Sequence, residues 1–225
     1  MSAYYRGRRA RLYEQHWSRF TQRTQEETLA LINSAAIRHQ AQEHGHAPRL
    51  LDVACGTGRL LSYLYQQFPD AELNGIDGSQ DMLLQARQRL SAAPALRLEH
   101  VIIGPGELAR LPFPSNSFDL ITCTNALHDL ADPANFLADL VRLLAPGGWL
   151  AIEDYARRSS AIPWRFMEWL ALHIEGSQGR ALTLAEAEEL CKQVGLHIAC
   201  SHTFVIDKIF HGWAILGTKV LPDAH

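Results

Sequence analysis

Leu50-Leu51-Asp52-Val53-Ala54-Cys55-Gly56-Thr57-Gly58-Arg59 sets a short apolar run before a loop of small residues, and a helix-forming stretch follows. It reads as a buried strand over Leu50 to Ala54, a tight turn, and a helix over Gly58 to Gln67. Gly56 and Gly58 would let a ligand approach the backbone with no Cβ in the way. The helix N-terminus would aim amide donors at that ligand. The same spacing also serves a plain strand-to-helix connection, and alone it does not separate the two. The G-x-G-x-x-G fingerprint is not completed, because Leu61 stands at its third glycine. A leucine there opposes the close helix–sheet packing that seats a pyrophosphate, which argues against a nicotinamide-dependent oxidoreductase.

Working outward, the pattern alternates. Glu72 to Ile76 reads as a strand and Ser79 to Leu90 as a helix with Asp81 in its first turn. Leu96 to Ile103 and Phe118 to Thr124 read as strands. A helix from Pro133 to Leu144 stops at Pro146-Gly147-Gly148, and Trp149 to Tyr155 is the next strand. Strands alternating with helices predict βαβ units and a mostly parallel, doubly wound sheet in an α/β three-layer domain. The tail departs from this. Thr183 and Glu186 make a capping box for a helix ending at Gly195, then His197 to Ile206 and Ile209 to Val220 are joined tightly at Asp207-Lys208. Strands so close must pair antiparallel, giving seven strands with a C-terminal hairpin. Upstream, Arg8 to Gln42 reads as helical, ended by His44-Gly45-His46-Ala47-Pro48.

The 225 residues suit one domain with a substantial core, and 47% hydrophobic with 20% charged residues excludes a disordered chain. We expect a single domain over 1–225, with an N-terminal helical cap over 1–47 and an inserted helical lid over 159–180. Net charge is −3, but residues 1–25 carry +5 and the remainder −8. No apolar run reaches the ~18 residues of a membrane span. No signal-peptide core precedes the domain, and Glu14, Glu26 and Glu27 argue against a transit peptide. Cys55, Cys123, Cys191 and Cys200 form no CxxC pair and fit a reducing, cytoplasmic setting. His44 and His46 have no third ligand nearby in sequence, so no metal is expected.

Gly75-Ile76-Asp77-Gly78-Ser79 closes the second strand. One βα unit after the glycine loop, the Asp77 carboxylate is placed to accept both hydroxyls of a ribose, or else to cap the following helix. Glu107-Leu108-Ala109-Arg110-Leu111-Pro112-Phe113-Pro114-Ser115-Asn116-Ser117-Phe118-Asp119 and Leu144-Ala145-Pro146-Gly147-Gly148-Trp149 complete the set. Over residues 49–157 the chain resembles the class I S-adenosylmethionine-dependent methyltransferases, and most of all the branch of ubiquinone/menaquinone-type and small-molecule enzymes. The resemblance implies a Rossmann-like fold, S-adenosylmethionine as cofactor and S-adenosylhomocysteine as product. By motif, Asp52, Ala54, Gly56 and Gly58 would surround the methionine part, Asp77 would hold the ribose, and Met82 would line the adenine pocket. Glu107 and the Leu108 amide would read the adenine edge, and Asn125 would lie near the amine and sulfonium. Three positions depart from the pattern: Ala54 where glycine is frequent, Gly78 where an apolar residue packs on adenine, and Glu107 where aspartate is common.

Methyl transfer needs position and a dry site, and a base only when the nucleophile must lose a proton. His128, within Leu127-His128-Asp129-Leu130, is the first candidate base, because imidazole titrates near neutrality. Its alternative role is to shape the pocket. Asp154 and Tyr155, ending the fifth strand, are the other candidates. Tyr13 and Trp17 in the N-terminal helix, and Trp164, Phe166, Trp169 and His173 in the inserted segment, would cover a flat or apolar acceptor or simply pack on the domain. The expected partner is a small-molecule acceptor, with the oligomeric state, a homodimer included, left open. The basic N-terminus keeps RNA as an alternative acceptor. A non-catalytic cofactor-binding subunit and a non-methyl reaction with the same cofactor also stay open.

Overall fold

The computed structural model describes residues 5–102, 110–156, 180–208 and 210–219. A long helix α1 (Arg8–Leu31) and a shorter α2 (Ser34–Glu43) precede β1 (Arg49–Val53), α3 (Arg59–Gln67), β2 (Glu72–Asp77) and α4 (Gln80–Arg89). Then come β3 (Leu96–His100), β4 (Phe118–Thr124), a single 3-10 turn Leu127–Asp129, α5 (Pro133–Leu143) and β5 (Leu144–Tyr155). The helix α6 (Leu184–Gln193) and the strands β6 (Leu196–Val205) and β7 (His211–Lys219) follow. The seven strands stand in the order β3-β2-β1-β4-β5-β7-β6. β1, β2, β3, β4 and β5 pair in parallel, while β7 runs antiparallel between β5 and β6. The chain winds outward from β1 to β3 and then crosses to β4. This leaves a topological switch point between β1 and β4, where ligands bind in open α/β sheets.

Local chemistry sets the helix starts. Ser79 accepts from the Met82 amide and Asp132 from the Asn135 amide ahead of Pro133, and Thr183 with Glu186 closes the expected capping box. The single helix expected over Arg8 to Gln42 is instead two. The chain is extended at Ile32, and the Asn33 side chain accepts from the Ala36 amide at 3.1 Å to start α2. An asparagine that bonds its own downstream backbone competes with helix continuation. β5 also starts earlier than expected, at Leu144, and takes Pro146-Gly147-Gly148 into an irregular stretch opposite Phe118 and Leu120.

Two apolar layers sandwich the sheet. Leu50, Leu61, Leu64, Phe68, Leu73 and Leu83 fill the layer beneath α2, α3 and α4. Val53, Ile121, Leu140, Ile152 and Trp213 fill the one beneath α5 and α6. Each fully buried leucine contributes about 2 kcal/mol. Leu61, at the missing third glycine, is wholly buried, and a Cβ on Gly75 would come within 2.7 Å of its side chain. α1 lies outside this sandwich and crosses the C-terminal ends of the strands, touching α4, β4, β5 and β7. No described helix is long and apolar enough to cross a membrane.

Candidate active site

The cleft forms where β1, β2 and β4 end. β1 stops at Val53, and Ala54 takes a left-handed φ of 63° before Gly56 (φ 53°) and Gly58 (φ 73°) turn the chain into α3. A non-glycine residue there costs about 1–2 kcal/mol, which accounts for the frequency of glycine at this position in the resembled family. A Cβ on Gly56 would meet nothing within 4 Å, so this loop backbone faces open space. Gly58 has a different task. A Cβ there would fall 2.8 Å from that of Ala86, so it lets α3 pack against α4 and does not line the cavity.

Asp77 ties the two loops together. Its carboxylate accepts from the Gly56 amide at 2.9 Å and the Ser79 amide at 2.8 Å. Burial raises the Asp77 carboxyl above the ordinary carboxylate range, against the pull of those two amides. Asp52 is 2% exposed and accepts from the Thr122 hydroxyl at 2.7 Å. Burial pushes its carboxyl up to about 7, with the nearby Asp77 charge adding to the rise. Gly78 contributes its carbonyl to the His100 ring at 3.0 Å, and Met82, 2% exposed, lines the cavity. Asn125 ends β4 with a second left-handed non-glycine φ, 52°. Left-handed backbone thus follows both β1 and β4 at the switch point, strained at Ala54 and well tolerated by asparagine at 125.

α1 closes this cleft from above. The Tyr5 carbonyl accepts from the Ser79 hydroxyl, the Gly7 amide donates to Asp81 at 2.6 Å, and Gln85 donates to the Ala10 carbonyl at 2.9 Å. Glu14 accepts from the Thr57 hydroxyl of the glycine loop at 2.6 Å and pairs with Arg89. Burial raises the Glu14 carboxyl, but these contacts outweigh it and hold it low. Tyr13 points into the cleft, where burial and then Asp77 push its phenol up. The space left is about 90 Å³. Small-molecule pockets span ~300 Å³ or more, so α1 leaves the cleft narrow.

Beyond β4, His128 sits on the 3-10 turn. Its amide donates to Asp154 Oδ2 at 2.9 Å and its Nδ1 lies 2.7 Å from Asp154 Oδ1. A carboxylate there accepts, which puts the ring proton on Nδ1 and directs Nε2 away from Asp154. The Tyr155 ring is 4.5 Å from the imidazole. Tyr155, Phe210, Phe20 and Trp17 then make a row of rings with centroids 5.6–6.0 Å apart. Trp17 ends that row, 38% exposed, and is not part of the cavity wall. Glu107, Leu108, Trp164, Phe166, Trp169 and His173 lie outside the described residues, as does the expected lid over 159–180 apart from Arg180. Sequence reasoning did not single out Glu14, Thr57 or Glu153. For Glu153 a signal existed, because it is a charge in an otherwise buried strand.

Residues 51–150 match the family model of a methyltransferase domain. The chain is 36% identical over 124 residues to the demethylmenaquinone methyltransferase of Deinococcus radiodurans, covering 54% of this chain and 49% of that one. It is 35% identical over 122 residues to the ubiquinone/menaquinone biosynthesis C-methyltransferase of Cereibacter sphaeroides, covering 54% and 46%. The chain thus spans about half the length of the curated relatives it matches. Over residues 51–150 the chain is thus similar to methyltransferases that take S-adenosylmethionine as cofactor. Two solved structures agree in fold alone. One is a chain of the complex between the Haloferax volcanii Trm112 methyltransferase activator and a methyltransferase (TM-score 0.72, 18% identity, 95% of this chain and 96% of that one). The other is the [4+2]-cyclase SpnF (TM-score 0.62, 17% identity, 84% and 80%).

Proposed function

We propose that the protein transfers the methyl group of S-adenosylmethionine to a small-molecule acceptor, in a cytoplasmic setting. The observation that carries this reading is the Asp77 carboxylate bridging Gly56 and Ser79 beside a glycine loop that faces open space. The residues present fit the cofactor. Asp77 would hold the ribose hydroxyls, Met82 would pack on the adenine, and Asp52, Ala54 and Gly56 would flank the methionine part, with Asn125 beside the sulfonium. When bound, S-adenosylmethionine supplies an activated methyl group. The chain supplies position and dryness, with α1 as the cover that excludes water.

His128 would take a proton from the acceptor at Nε2, which lies 3.7 Å from Asp129 Oδ1, while Asp154 engages Nδ1. The row of rings from Tyr155 outward offers a flat apolar wall to the acceptor. The relatives named for quinone methylation support an acceptor with a flat body. Titration with S-adenosylhomocysteine, followed by detection of that product after incubation with S-adenosylmethionine and a metabolite extract, tests the proposal. Binding without turnover would favour a non-catalytic or non-methyl role. No binding would sink the proposal.

A further inference from the structure

Glu153 is the least explained side chain in the protein. It is fully buried, and among the described residues neither carboxyl oxygen has a hydrogen-bond partner. An unpaired buried carboxyl is costly to keep, which makes it a candidate for a ligand partner. Burial drives this carboxyl far above its ordinary range, and the neighbouring Asp154 adds to the rise. On β5 it stands opposite Thr124, which lines the cleft, and its carbonyl accepts from the Asn125 amide at 3.0 Å. Leu150 and Ile152 belong to the layer under α5 and α6, and Trp149 packs on the opposite layer. Strand alternation therefore turns Glu153 to the Trp149 face, which also carries α1. Glu27 of α1 is near enough to raise the Glu153 carboxyl, yet it is itself engaged by Arg23 and His202.

An acceptor is left bare beside it. Asn125 Oδ1 is buried without a partner. Its orientation is fixed, because the Thr24 hydroxyl spends its proton on the Thr21 carbonyl and so accepts from Asn125 Nδ2. Gln25, the next residue of α1, lines the cleft with its own Oε1 unpartnered. Asn125 Oδ1 and Gln25 Oε1 are acceptors, the Glu153 carboxyl becomes one on both oxygens once a cation draws its proton off, and the surrounding cleft carries Asp52, Asp77 and Asp129. What they lack is a group with several N–H donors and a positive charge.

We propose that Glu153 and Asn125 form the subsite for an ammonium group on the methyl acceptor, so that the substrate class is an amine. This rests on the methyltransferase reading above. The same chemistry exists in the cofactor's own α-ammonium. Position favours the acceptor: the glycine loop and Asp77 lie on β1 and β2, and Glu153 lies two strands from β1, past β4. That is about 10 Å across the sheet, toward His128 and Asp154. Tyr155, two residues along the same strand and on the same face as Glu153, begins the aromatic row that would hold the rest of an aryl-alkyl amine.

The test is calorimetric titration of the full chain, saturated with S-adenosylhomocysteine, by phenethylamine and by its uncharged analogue 2-phenylethanol. The amine should bind at least about tenfold more tightly. Glu153→Gln should erase that preference while S-adenosylhomocysteine affinity stays within about threefold. Its melting temperature should equal or exceed that of the wild type, which a purely structural carboxyl would not allow. Equal binding of the two probes, or binding of neither, overturns the proposal, and this wild-type comparison does not depend on the variant folding. A tenfold loss of S-adenosylhomocysteine affinity in Glu153→Gln assigns the carboxyl to the cofactor's ammonium and also overturns it. Failure of the wild type to bind S-adenosylhomocysteine at all would instead refute the methyltransferase reading.

Discussion

Asp52→Asn should make the protein more stable, and increasingly so as the pH rises. Burial carries the Asp52 carboxyl from an ordinary 3.8 to about 7. Between those values the folded protein keeps a proton that the unfolded chain has released, so stability is full below the lower value and is lost as pH climbs through the window. Linkage puts the loss at about 1.7 kcal/mol at pH 5 and about 4 kcal/mol at pH 8.5. Asparagine cannot ionise, and its Oδ1 can still accept from Thr122, so the variant escapes this loss at little local cost. Its advantage over wild type should therefore grow by ~2.5 kcal/mol between pH 5 and pH 8.5. Asp77, also raised by burial, titrates in both proteins and largely cancels. Urea unfolding of the two proteins at both pH values measures the difference directly. A gap that stays constant within about 0.5 kcal/mol would refute the reasoning, because it would mean Asp52 is ionised in the folded state throughout. The same ionisation should tighten wild-type binding of cationic S-adenosylmethionine relative to S-adenosylhomocysteine above neutrality, and Asp52→Asn should flatten that ratio.

Gly56→Val meets no neighbour but forces a β-branched residue to a φ of 53°. It should cost roughly 1–2 kcal/mol of stability and abolish S-adenosylhomocysteine binding, and a folded variant that still binds would turn the loop away from the cofactor. Glu14→Gln weakens the tie from α1 to Thr57 and Arg89. For so exposed a pair the stability change should stay below about 1 kcal/mol, while the stopped-flow association rate of S-adenosylhomocysteine rises severalfold; an unchanged rate would mean α1 does not gate the cleft. His128→Asn should lower kcat by about a hundredfold with cofactor affinity within about threefold, and an unaltered kcat would leave the imidazole a positioning role only.

The sheet was legible because its signals are local and repeated. Each strand is a short apolar run bounded by a turn residue, and the hairpin follows from two such runs too close to cross over. The place of Asp77 at the end of β2 was legible for the same reason, but its bridge from Gly56 to Ser79 was not. The break at Ile32-Asn33 was hidden because Ile32, Asn33 and Ile37 sit at spacings a continuous helix also satisfies. The latch of Glu14 on Thr57 and Arg89 joins residues 43 and 75 positions apart, and no periodicity reports such a contact.

Three of the places where the chain departs from its own local rules lie near one another, although Asn116 and Gln67 depart elsewhere. Ala54 and Asn125 hold a left-handed backbone, strained at Ala54, at the ends of the two strands flanking the switch point. Glu153, one strand further, holds a carboxyl that nothing among the described residues satisfies. Had these been accidents of packing, small changes such as Ala54→Gly or Glu153→Gln would relieve them at no loss. Their alignment from β1 through β4 to β5 instead follows the line from the glycine loop to the His128–Asp154 pair. Left-handed backbone after β1 and β4 shapes the chain toward a bound molecule, and an unpaired carboxyl at β5 awaits a ligand partner. On the proposed reading, this line across the sheet is where cofactor and acceptor would meet.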